Sequence, residues 1–157
     1  MSKKTKVYID TSVWNFALEA ERPESFVTND FLKHLKTNDD YTILISDLIK
    51  TEVNNAYELR KKQLEGLIEA FQTETVRLND EALKLAETYV SESLIPSQHD
   101  ADAMHIAIAT VNYCDFLISW NYKHIVRAKT IRGVHLINSR KGYGLIELVT
   151  PREFLGK

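Results

Sequence analysis

The sequence holds a single cysteine, Cys114, in 157 residues. One thiol excludes an intramolecular disulfide framework and any zinc ribbon or finger, and points to a reducing, cytoplasmic setting. A run of about 18 apolar residues, the least that spans a bilayer, is missing too. The opening Met1-Ser-Lys-Lys-Thr-Lys6 is basic, but the apolar stretch behind it is too short for a signal peptide. There is no Gly-rich phosphate loop of the P-loop or dinucleotide type. Nor is there an excess of positive charge: the net charge of −2 argues against coating nucleic acid by bulk attraction, while leaving room for a local patch.

What is present describes an ordinary folded protein, 44% apolar and 27% charged, of a length suited to one domain over residues 1–157. Val7-Tyr-Ile9 reads as a strand that closes on the turn or helix-start signal Asp10-Thr-Ser12. Residues 25–35 read as a helix with Phe26, Phe31, Leu32 and Leu35 as its apolar stripe. Residues 41–46 form a second strand, and Ser46 or Asp47 caps a helix running to about Tyr57. A helix over 60–72 and an extended piece over 75–78 follow. Asn79 or Asp80 then caps an amphipathic helix carrying Leu83, Ala86, Tyr89 and Val90. Beyond the Pro96-Ser97 turn, residues 101–113 are apolar on nearly all sides and read as a buried helix. Strands are expected at 116–119, 134–137 and 145–149, and Thr150 caps a last helix opened by Pro151.

Short apolar strands alternating with helices predict an α/β fold with a mainly parallel sheet. Ligands in such folds gather outside the carboxyl ends of the strands. Asp10 ends the first strand, Glu52 lies in the helix after the second, Asp102 opens the buried helix and Asn121 follows the 116–119 strand. All four can reach one rim. Asp100 rivals Asp102, since either acid could serve as a helix cap. Asp115 precedes its strand and belongs at the opposite end.

Clustered carboxylates repel one another and raise each other's pKa, a penalty that a divalent cation removes. Oxygen ligands without a Cys or His cluster suit Mg²⁺ or Mn²⁺, and phosphodiester hydrolysis is the chemistry such ions best support. A phosphohydrolase with Asp10 as covalent nucleophile is the weaker alternative, because a second Asp is usual two residues on and Ser12 stands there.

The stretches Val-Tyr-Ile-Asp10-Thr-Ser-Val-Trp, Ile-Ser46-Asp-Leu-Ile-Lys-Thr-Glu52-Val, Asp102-Ala-Met-His105-Ile-Ala-Ile-Ala and Phe-Leu-Ile-Ser119-Trp-Asn121-Tyr-Lys-His resemble, in order and spacing, the four motifs of the PIN-domain family. The closing Val149-Thr-Pro-Arg-Glu-Phe resembles that family's usual ending. The resemblance implies a three-layer α/β/α sandwich and an RNA-cutting nuclease using Mg²⁺ or Mn²⁺, and among bacterial and archaeal members of this size a VapC-like toxin with a small antitoxin partner and a homodimeric state. It assigns the acidic metal positions to Asp10, Glu52 and Asp102, favouring Asp102 over Asp100. The fourth position, commonly Asp, is Asn121 here, which keeps an oxygen ligand but removes a charge. A catalytically weak RNA- or protein-binding module of the same fold is the alternative this departure suggests.

Around these positions, Thr11 and Ser12 read as orienting groups or as helix caps, and Ser119 as a hydrogen-bonding neighbour. His105 reads as a satisfied, partly buried histidine. Trp14 and Trp120 flank the rim, where core packing is the common fate of tryptophan and base stacking the functional alternative. Lys123, His124, Arg127, Lys129 and Arg132 form a basic cluster suited to backbone phosphates, with Lys123 and Arg127 foremost, and Arg60-Lys61-Lys62 forms a second.

Overall fold

The structure, a computed structural model, describes residues 3–157. The first two positions of the basic N-terminal segment therefore lie outside the described residues. The elements run β1 (Thr5–Ile9), α1 (Thr11–Ala17), α2 (Pro23–Lys36), β2 (Tyr41–Ser46), α3 (Asp47–Asn54), α4 (Glu58–Glu69), β3 (Thr73–Val76) and α5 (Asp80–Ser91). A 3₁₀ turn at Ser97–His99 leads into α6 (Asp100–Val111), followed by β4 (Phe116–Ile118), α7 (Ala128–Arg140), β5 (Glu147–Val149) and α8 (Pro151–Leu155).

The five strands form one sheet in the order β3-β2-β1-β4-β5, and every pairing is parallel. Parallel neighbours need crossover connections, and right-handed crossovers decide which face each helix covers. The chain moves one way from β1 to β3, so α1 to α4 share a face. It then reverses past β1 to β4 and β5, which sends α5, α6 and α7 to the other face. The packing agrees: α5 lies on α6, while α1 contacts α2, α3 and α4, and α8 docks on α2. The reversal makes the gap between β1 and β4 the topological switch point. Val7, Tyr8 and Ile9 of the central strand are fully buried, and a single apolar cluster extends from them through both helical layers.

Local signals explain most element boundaries. The Ser46 hydroxyl accepts the Ile49 N–H at the start of α3, and Asn79 does the same for Ala82 at α5. Thr150 and Glu153 form a reciprocal capping box at α8. Helix α6 buries Ala103, Ile106, Ala107, Ile108 and Ala109, in keeping with its near-uniform apolarity.

Two expectations are corrected. Residues 134–137 are not a strand but part of α7. Val-His-Leu-Ile has local strand character, yet the buried set is Thr130, Val134, Ile137 and Asn138, a helical i, i+4, i+7, i+8 stripe, with Leu136 exposed. A crossover between parallel β4 and β5 also requires a helix there. Phe26, expected in the stripe of the second helix, is 75% exposed. The stripe instead runs through Ser25, Thr28, Phe31, Leu32 and Leu35, and Phe26 stands about 200° around the helix from Thr28.

A buried polar cluster ties α5, α6 and α7 together. Tyr89 donates to Asn138 Oδ1 at 2.5 Å, and Asn138 Nδ2 donates to Thr110 Oγ1 at 3.1 Å. Replacing Asn138 by Ala orphans both neighbours inside the core. Urea denaturation of Asn138→Ala should show a loss of about 1–3 kcal/mol, and an unchanged midpoint would mean the three groups find water instead.

Candidate active site at the end of the central strand

Asp10 follows β1 directly and caps α1. Its Oδ1 accepts the Ser12 backbone N–H at 3.0 Å and the Ser12 hydroxyl at 2.6 Å. Ser12 Oγ in turn accepts the Trp120 N–H at 3.0 Å, which joins the end of β1 to the end of β4. The carboxylate is 4% exposed, and burial raises its pKa. The nearby His105 and the Ser119 and Ser12 hydroxyls oppose that rise, while the Glu52 charge adds to it.

Glu52, in α3, reaches the same place. Its Oε1 accepts the Thr11 hydroxyl at 2.5 Å and His105 Nε2 at 2.9 Å. Partial burial favours the neutral acid, but the hydrogen bond and charge of His105 and the Thr11 hydroxyl outweigh it and lower the pKa. His105, on α6, is buried. Desolvation acts against its charged form, but the hydrogen bond and charge of Glu52, with Asp10 and Asp102 behind it, overcome that and raise its pKa. The three carboxylates therefore share one electrostatic neighbourhood centred on His105.

Tyr8 and Ser46 complete this arrangement; sequence reasoning read Ser46 only as a helix cap and missed Tyr8. Tyr8 Oη lies 2.7 Å from His105 Nδ1 and 2.8 Å from Ser46 Oγ. His105 Nε2 carries a proton, because its partner is a carboxylate oxygen that only accepts. When the ring is neutral, Nδ1 accepts from Tyr8 and Tyr8 accepts from Ser46. When the ring is charged, both donations reverse. The signal available in the sequence was a tyrosine in a strand buried on both faces, whose hydroxyl must find a partner.

Asp102 is half-buried in the first turn of α6, and its Oδ2 lies 3.1 Å from His124 Nδ1. Asp100 is exposed and points to no member of this group among the described contacts. Asn121 Oδ1 accepts the His124 N–H at 2.9 Å, and the Asn121 N–H donates to the buried Ser119 hydroxyl at 2.9 Å. Asn121 thus braces the turn after β4, with its side-chain oxygen already serving one donor. Asp115 sits at the other end of β4, where Oδ2 accepts the Lys6 N–H at 2.8 Å.

Several flanking residues are engaged within the chain, the tryptophans by the core packing expected of them. Trp14 and Trp120 are both buried, their indole N–H groups donating to Ile9 O and Thr28 Oγ1, so neither offers a face for a base to stack on. His124 is buried beside Asp102 and leaves the basic cluster. Arg127 donates to Thr130 Oγ1 and to Leu94 O, both at 2.9 Å, which commits its guanidinium within the chain. Lys123, Lys129 and Arg132 remain exposed. Arg60 faces Asn15 and Glu19, and Lys62 pairs loosely with Glu58.

The donor set fits a hard dication. Asp10 is a desolvated carboxylate next to a second carboxylate, with its Oδ1 turned to Ser12, and Glu52 has only Oε1 engaged. Asp10 and Glu52, with Asp102 at the start of α6, are the carboxylates that could serve a divalent cation, although the three do not form a group with ligand atoms within 4.8 Å of one another.

No protein-family model and no curated protein matches this sequence. Solved structures do match its fold. VapBC2 of Rickettsia felis, bound to a DNA fragment from its promoter, is 15% identical with a TM-score of 0.59, over 93% of this chain and 98% of that one. VapC20 of Mycobacterium tuberculosis, a toxin that cleaves the sarcin-ricin loop, is 8% identical with a TM-score of 0.58, over 75% and 92%. DNA-bound VapBC of Salmonella typhimurium is 12% identical with a TM-score of 0.56, over 94% and 98%.

The buried hydroxyl of Tyr8 offers a direct test of the network. Tyr8→Phe should cost about 1–3 kcal/mol in thermal or chemical unfolding while preserving the far-UV spectrum, and wild-type stability would show that His105 Nδ1 needs no donor. The sheet order, the crossovers and the end-to-end alignments together establish that this chain has the PIN-like α/β fold of the VapC proteins.

Proposed function

We propose that this protein is a metal-dependent endoribonuclease of the VapC-like PIN type, a single domain that hydrolyses phosphodiester bonds in RNA. The observation that carries the reading is the placement of Asp10 at the switch-point end of the central strand, with Glu52 held beside it through Thr11 and His105 and with Asp102 on the helix that carries His105. The likeness in fold to a toxin that cleaves the sarcin-ricin loop adds weight.

Each residue has a distinct task. Asp10, Glu52 and Asp102 supply the carboxylates for Mg²⁺ or Mn²⁺, which when bound polarises the scissile phosphate and activates water for in-line attack. Ser12 fixes Asp10, and Thr11 and His105 fix Glu52, so the ligands are set before the ion arrives. Ser119 steadies Asp10 and the turn that ends in Asn121. Lys123, exposed one turn beyond the rim, is placed to meet backbone phosphates. The fold neighbours crystallised as VapBC complexes support a small antitoxin protein as partner and a toxin's role for this chain. We take the working form to be a homodimer, as the sequence resemblance implies, and its setting to be the cytoplasm. No helix among the described residues is long and apolar enough to cross a membrane.

Asn121 favours a second reading, a PIN-like module that binds RNA or protein without cutting, because it withholds a fourth carboxylate. One assay separates the two. Wild type should cleave labelled RNA with Mn²⁺ or Mg²⁺ and lose activity in EDTA, and Asp10→Asn should lower the rate by at least about a hundredfold (roughly 2.7 kcal/mol). Equal inertness of both proteins with several RNAs and both metals would refute the nuclease and leave the binding module.

A further inference from the structure

Beside the acidic group stands a cluster of different chemistry. His99, Asp102 and His124 each present one ligand atom, and the three atoms lie within 4.8 Å of one another. We propose that these residues form a mixed nitrogen and oxygen site for a transition-metal dication of the zinc class, distinct in its donors from the all-carboxylate position at Asp10 and Glu52. It shares Asp102 with the proposed catalytic site, but binding there does not require the protein to be a nuclease. Only its catalytic consequence rests on that reading.

The geometry is close to what such an ion requires. Nitrogen and oxygen ligands at about 2.0–2.2 Å in a tetrahedron are about 3.3 Å apart. His124 Nδ1 and Asp102 Oδ2 are already 3.1 Å apart. The third atom, at no more than 4.8 Å, has to close by about 1.5 Å to meet the same tetrahedral edge. It belongs to His99, which is exposed, whereas His124 is buried. The two imidazoles already lie against each other, with ring centroids 4.2 Å apart and planes 37° from parallel. Stacking at that distance keeps the exposed ring beside the buried one.

The supporting shell is in place as well. Asn121 Oδ1 holds the His124 backbone N–H, and the Thr130 hydroxyl donates to the His124 carbonyl at 2.8 Å. His99 ends the 3₁₀ turn and is the N-cap of α6, so it stands three residues before Asp102 at the start of one helix. Three protein ligands and one open position are the pattern of a site that keeps a water or a substrate oxygen. Imidazole selects zinc, nickel or cobalt over Mg²⁺, which prefers oxygen and keeps its waters.

The test uses the untagged full chain, freed of metal, with Zn²⁺ or Co²⁺ as the probe. Long-range ¹H–¹⁵N spectra of the imidazoles should show one equivalent of Zn²⁺ moving the His99 and His124 resonances and leaving His34 and His135 in place. Calorimetry should show Zn²⁺ affinity falling roughly tenfold or more in His99→Ala, an exposed position whose loss does not threaten folding. Asp10→Asn should keep the His99 and His124 shifts. Unmoved His99 and His124 resonances, wild-type affinity in His99→Ala, or loss of those shifts in Asp10→Asn would each overturn the proposal. None of these readouts depends on cleavage, so an inert protein that binds Zn²⁺ through His99 refutes only the nuclease, and an active protein that does not refutes only this site.

Discussion

Asp10 and Glu52 are like charges at one edge of the sheet, and the fold must hold them there. The buried ring of His105 makes that arrangement tolerable. It hydrogen-bonds Glu52, sits in the field of Asp10 and Asp102, and is itself held by Tyr8 from the central strand. Each contact comes from a different element: Tyr8 from β1, Ser46 from the end of β2, Glu52 from α3 and His105 from α6. The site is thus built into the core rather than laid on loops above it, and disturbing the core disturbs the acids.

Much of this was legible in the residues. The strand-ending Asp10, the Ser46 and Thr150 caps and the uniform apolarity of α6 are local patterns, and local patterns survive reading in one dimension. Failures came where neighbours far along the chain decide the outcome. Val134 to Ile137 looks like a strand until Thr130 and Asn138 are counted on the same face. His124 looks like part of a basic patch until Asp102, 22 residues earlier, is found against it. Tyr8 gives no sign of its partner His105, 97 positions away. Trp14 and Trp120 could have faced RNA, and the deciding fact, that each indole N–H has a buried acceptor, is tertiary.

The two sides of Asp102 differ in kind. Toward Asp10 and Glu52 the donors are carboxylate oxygens backed by hydroxyls, while toward His99 and His124 they are imidazoles backed by an amide and a hydroxyl. One carboxylate therefore separates a hard environment from a borderline one. A chain of near-neutral net charge achieves this by local placement, and Cys114 takes no part, since burial pushes its thiol up to about 12.

Arg127 gives the imidazole side its mechanical character. Its guanidinium reaches from the start of α7 to the carbonyl of Leu94, just before the turn that carries His99, while Thr130, which it also holds, grips the carbonyl of His124. One side chain thus rivets the approaches to both histidines. The segment before α6 and the turn before α7 are thereby tied through one guanidinium, so the relative placing of the two histidines depends on Arg127.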